Sequence, residues 1–177
     1  MKFATVTLAL AGAMALTGCT NLVSLNPFVT GKQAVMDVNL EGTWKSDDND
    51  SFVIVQKNSS SYSVIYADGK GASQKFTALL FKVGDAELLD LVSENETFLQ
   101  VPVHAAVRVW PQGSLLRWTF LDSKWLREQT GRELVSQPSG DAQLMTSPGE
   151  TVRSVLLKYA GDSKAYENEP NVLTRMP

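Results

Sequence analysis

Leu115-Leu116-Arg117-Trp118-Thr119-Phe120-Leu121 puts Leu116, Trp118 and Phe120 on one side of an extended chain and Arg117 and Thr119 on the other. That two-residue alternation marks a strand with one buried face. Outward from it, similar short runs of Val, Ile, Leu and aromatics occupy 40–45, 52–57, 62–67, 74–83, 87–92, 98–101 and 105–110. Between them lie turn-forming clusters such as Asn58-Ser59-Ser60, Asp68-Gly69-Lys70-Gly71, Gly84-Asp85 and Pro111-Gln112-Gly113-Ser114. Turn residues recurring about every 8–12 residues between β-formers predict a mainly β fold. The expected form is an antiparallel meander of about eight to ten strands that closes as a barrel or half-barrel. In 74–83 both sides are apolar, Phe76, Ala78 and Leu80 against Leu79 and Phe81, which predicts cover on both faces. The strands mostly fall short of the roughly 9–11 residues of a membrane-spanning β-strand, which excludes an outer-membrane pore.

One short and one longer helix follow the strands. Asp122 can cap a turn over 123–129 that buries Trp125 and Leu126. Ser147-Pro148-Gly149-Glu150 reads as a capping box with Pro at the first helical position. Val152, Val155, Leu156 and Tyr159 then recur at i, i+3, i+4 and i+7, and Gly161 closes the helix. Between the helices, 133–135 and 143–145 read as short strands and 137–141 as a loop. The tail, 162–177, carries Pro170 and Pro177 and reads as poorly ordered.

The other end of the chain is a different kind of text. Lys2 precedes an uninterrupted small and apolar run from Phe3 to Leu16, shorter than the roughly 18 residues a spanning helix needs. Leu16-Thr17-Gly18-Cys19 follows. The pattern is that of a secretory signal peptide, and the tetrad resembles the bacterial lipobox. The resemblance implies cleavage before Cys19 and acylation of Cys19, the only cysteine in the chain. It also implies a bacterial envelope location, with Thr20 rather than Asp after the cysteine pointing to the outer membrane, facing the periplasm. The chain then divides into a signal peptide (1–18), a lipidated tether (19–38) that docks Leu22, Leu25 and Phe28, a β domain (39–161) and a tail (162–177). A lone cysteine makes no intrachain disulfide, so the fold rests on core packing.

The formal net charge is −3, and basic residues are scattered singly. That distribution excludes nucleic acid as a partner, since such chains show a clustered basic face.

Gly42-Thr43-Trp44, at the start of the first strand of such a meander, resembles the motif of the lipocalin-like group. The resemblance implies a barrel whose closed end is plugged by Trp44, with an Arg from the last strand stacked over it. Arg117, on the last clear strand, is the candidate for that Arg. The chain also resembles bacterial lipoproteins with a Leu-x-Gly-Thr-Trp start and no assigned activity. No counterpart of the main lipocalins' Thr-Asp-Tyr loop is present.

Candidate chemistry is sparse. His104 is the only histidine, so a His-rich zinc site is excluded, and no Gly-x-Ser-x-Gly elbow supports a triad. An esterase-like site would need His104 beside a Ser hydroxyl and a carboxylate. Asp47-Asp48-Asn49-Asp50 reads as a solvated turn, because it lacks the Gly and distal Glu of a calcium loop. No cofactor motif occurs. A hairpin turning at 111–114 pairs Trp110 with Leu115 and brings Arg108 opposite Arg117. Such a pair is read in two ways: as partners of an acid or a Trp ring, or as a bidentate anion site beside Trp110. The sequence therefore points to a lipid-anchored, non-catalytic barrel that binds an apolar or amphipathic small molecule. The alternative is an assembly protein of the envelope that binds another protein.

Overall fold

The alternation read from the sequence becomes eight strands that close on themselves. The structure, a computed structural model, describes residues 21–47, 50–94, 101–122, 128, 133–139, 142–159, 161–166 and 169–177. Its strands are β1 (Asn21–Ser24), β2 (Gly42–Ser46), β3 (Ser51–Lys57), β4 (Tyr62–Asp68), β5 (Ser73–Val83), β6 (Ala86–Ser93), β7 (His104–Gln112), β8 (Leu115–Phe120), β9 (Ser136–Ser139), β10 (Ala142–Met145) and β11 (Asn171–Arg175), with one α-helix, α1 (Gly149–Tyr159), among the described residues. β2 to β8 form the meander, β6 pairs with β7, and β11 enters between β8 and β2 to complete an eight-stranded antiparallel barrel of lipocalin-like type. β8 leaves the first residues of β7 unpaired on one edge. β1 takes that edge, with Val23 opposite Ala105 and Ser24 opposite His104, and β10 and β9 extend the sheet from there.

Two cores result. Inside the barrel, Leu40, Trp44, Tyr62, Ala78, Leu80 and Leu116 are buried. Outside it, Phe81 and Leu88 on the wall pack against Phe28 of the N-terminal strap and against Val152, Val155 and Leu156 of α1. The predicted helical stripe thus lies on the barrel wall, and β5 is covered on both faces, with Leu80 and Phe81 at 1% and 2% exposure. Gly149 opens the helix where the Pro27 carbonyl comes so close that any Cβ would collide with it.

Four expectations are corrected. The tail is not loose: β11 lies within 162–177 and supplies the closing strand, with Leu173 buried in the interior. Residues 137–139, part of the loop expected over 137–141, belong to β9, paired to β10 from Ser136 opposite Met145 to Ser139 opposite Ala142. The β7–β8 hairpin turns at Gly113-Ser114 alone, because Gly113 adopts φ 61° and allows a two-residue connection. Pro111 and Gln112 stay in the ladder, which moves the register by two residues. Ser147 does not cap the helix. Its buried hydroxyl accepts the Val135 amide at 2.7 Å instead, closing the turn that leads into β9. The segments 1–20, with Cys19, lie outside the described residues, as do most of the strand expected at 98–101 and, save Glu128, the helix expected over 123–129.

Candidate functional site

The barrel's two ends are built differently. At the closed end, Trp44 is fully buried and donates from Nε1 to the Leu40 carbonyl at 3.0 Å. The short 3₁₀ turn Val38–Leu40 crosses beneath it. The Arg175 guanidinium lies 4.2 Å from the Trp44 ring centre, donating to the carbonyls of Glu41 and Asn39 at 2.6 Å each. Gly42 (φ 145°) makes room for this, since a Cβ there would stand 2.8 Å from Arg175 Nη1. Tyr62 completes the seal, its hydroxyl accepting the Asp37 amide at 2.6 Å and donating to the Asp37 carbonyl at 3.0 Å. Burial pushes the Tyr62 phenol above its ordinary pKa.

The Arg over the Trp is therefore Arg175, not Arg117. Arg117 is exposed, faces Trp110 across the hairpin and donates to Gln112 Oε1 at 3.3 Å. The motif residues Gly42 and Trp44 stand where the sequence puts them. The partner escaped because the strand that carries it sits in the proline-flanked tail.

At the opposite end, inward-facing residues remain partly open to solvent. Val53, Phe76, Leu91, Trp118 and Phe120 pack on the interior cluster yet are only half-buried. Trp118 stands edge-on to Phe120, ring centres 5.4 Å apart at 86°. Its Nε1 is sealed from solvent and has no hydrogen-bond partner among the described residues. The rim polar groups serve one another: Ser46 Oγ accepts the Ser51 amide at 3.0 Å, and Gln74 donates to Ser93 Oγ at 3.2 Å.

On the outer wall, Arg108 does not face Arg117; it lies opposite Thr119. Its guanidinium sits 4.3 Å from the ring centres of both Trp110 and Tyr166, held between two aromatic faces that stabilise a cation. Its Nε is buried with no hydrogen-bond partner among the described residues. Burial raises the Tyr166 pKa, with Arg108 pulling weakly the other way. Of the candidate residues, Arg108 and Trp110 thus come together around Tyr166, while Arg117 stands apart from the guanidinium of Arg108.

His104 is more than a strand-edge side chain. Its Nδ1 lies 2.8 Å from Asp90 Oδ1, and Asp90, 2% exposed, accepts the Phe28 amide on Oδ2 at 3.0 Å. The pair pins the N-terminal strap to the wall. Ser24 lies opposite His104 in the ladder, but its Oγ accepts the Asn26 amide at 3.1 Å. Asp90 gave little sign in sequence, where a carboxylate at the centre of Leu-Leu-Asp-Leu-Val reads as an outward polar position. Among the described residues no group of three His, Cys, Asp or Glu side chains is placed to hold a metal.

No protein family, curated protein or solved structure matches this chain. The reading of its site rests on its own residues.

Proposed function

We propose that this chain is a lipid-anchored protein of the bacterial envelope whose barrel acts as a non-catalytic binding module for an apolar or amphipathic small molecule. The anchor is Cys19, by resemblance of Leu16-Thr17-Gly18-Cys19 to the lipobox, and the outer membrane is its destination, facing the periplasm. One observation carries the binding reading: Phe76, Leu91, Trp118 and Phe120 face the barrel interior and yet stay half-exposed, while the other end is sealed by Trp44 and Arg175. An eight-stranded barrel is about wide enough to be filled by side chains or to hold one small ligand. Apolar surface left open inside a closed sheet favours the second use, because covering it releases water at a gain of roughly 25 cal/mol per Å².

Native mass spectrometry of protein purified from its envelope in mild detergent tests this. A single adduct of discrete mass per chain, lost on organic extraction, is the expected result. A chain that carries no adduct and instead retains a stoichiometric protein partner would favour the assembly role.

A further inference from the structure

The registers fix which residues face inward. From the Trp44 plug to the opposite rim, none of the described inward positions is charged. Besides apolar side chains they hold only Ser46, Ser51, Tyr66, Gln74, Ser93 and Asn171. The charged residues on the same faces lie at or beyond the two ends and are occupied or solvated. Asp68 Oδ1 accepts the amides of Lys70 and Ala72 in its own turn. At the closed end Lys82 pairs with Glu87 at 3.2 Å, Arg175 is committed to Trp44, and Lys57 is exposed. An anionic group carried into this interior would lose its hydration and meet no cation, which is strongly unfavourable.

One donor in that apolar interior has no acceptor among the described residues. The indole N–H of Trp118 is a donor only, and a buried donor without an acceptor costs stability. The ring is gripped in the middle of β8, between Leu116 and Phe120 on the same face, with Val109 opposite it in the ladder. A ligand oxygen can reach that sealed N–H only as the side chains around it give way, and it would then displace no hydrogen bond.

We infer that the barrel selects an uncharged amphiphile, an alcohol, ester or amide on an alkyl chain, whose oxygen accepts a hydrogen bond from Trp118 Nε1. This deepens the binding-module reading and rests on it.

The test titrates the purified full-length protein with 1-decanol, decane and, at pH 8, decanoate, each displacing Nile red. Decanol should bind about tenfold more tightly than decane, the ratio one neutral hydrogen bond supplies, and at least as much more tightly than decanoate, which must shed the hydration of its carboxylate. The Trp118 indole proton should move downfield in the NMR spectrum with decanol and not with decane. Trp118→Phe should bring decanol and decane to equal affinity. The indole shift keeps the inference testable if that variant folds poorly. Decanoate binding as tightly as decanol would overturn the selection for uncharged ligands while leaving the barrel a binding module. Decane matching decanol, with the indole proton unmoved, would overturn the role of Trp118. Failure of all three, and of Nile red itself, would remove the binding-module reading and this inference with it.

Discussion

Arg175 reaches from β11 to cover Trp44 on β2, its guanidinium 4.2 Å from the ring and hydrogen-bonded to two carbonyls of the segment beneath it, those of Asn39 and Glu41. The contact joins the two strands that close the barrel, Arg175 being opposite Trp44 in the ladder. Arg175→Ala should therefore lower stability by about 2 kcal/mol, combining a stacked cation with two charge-assisted hydrogen bonds. Lys would not restore it, since an ammonium cannot stack flat and bridge two carbonyls at once. Arg117→Ala, at an exposed site, should stay within about 0.5 kcal/mol. Thermal unfolding of the three variants checks the order; equal losses for Arg175→Ala and Arg117→Ala would contradict it.

Much of this architecture was legible because alternation is local. Leu116, Trp118 and Phe120 declare their face without reference to any other strand, and so do both faces of 74–83. What escaped was non-local or hidden in turn chemistry. β11 has only Val172 and Leu173 as apolar residues, too few for a pattern, and its stability comes from β2 and β8, far away in sequence. The Arg108–Arg117 pairing failed because Pro111 was read as turn, whereas Gly113 lets the ladder run on to Gln112. At the open end, the residue types were visible but not the orphaned Trp118 N–H, which depends on where every neighbouring acceptor lies.

The strap and α1 form one unit with the wall. Leu156→Ala should cost about 2–5 kcal/mol through lost burial and a cavity against Phe81 and Leu88. Gly149→Ala should cost about 1–3 kcal/mol by overpacking, because its methyl group meets the Pro27 carbonyl. Urea unfolding measures both. A neutral Gly149→Ala would show that the strap does not press on the helix start.

The buried phenols make stability fall in alkali. Tyr62 and Tyr166 have folded pKa values raised chiefly by burial, so the unfolded chain ionises first. Their contribution is complete below the ordinary phenol pKa near 10 and is lost as pH rises through it toward the folded values. Tyr166→Phe keeps the ring over Arg108 and removes one ionising group. Between pH 8 and 11 its unfolding free energy should fall less than that of the parent protein; parallel curves would show that Tyr166 ionises alike in both states.

The anchor is tested by Cys19→Ser. The parent protein should partition into detergent and carry the mass of attached acyl chains, since two or more chains make membrane binding durable. The variant should be released or remain uncleaved. A Cys19→Ser protein that is still processed and membrane-bound would remove the lipobox reading.

Filling the half-open interior around Trp118 shows whether that interior takes a ligand. Ala105 faces inward beside Leu91, at the same end of the barrel. Nile red fluorescence should titrate to saturation at one dye per chain in the parent protein, and Ala105→Trp, verified as folded by circular dichroism, should weaken it about tenfold or more, since an indole takes the space of the dye. Dye binding that never saturates, or that saturates equally well in parent and Ala105→Trp proteins, would contradict a site inside the barrel.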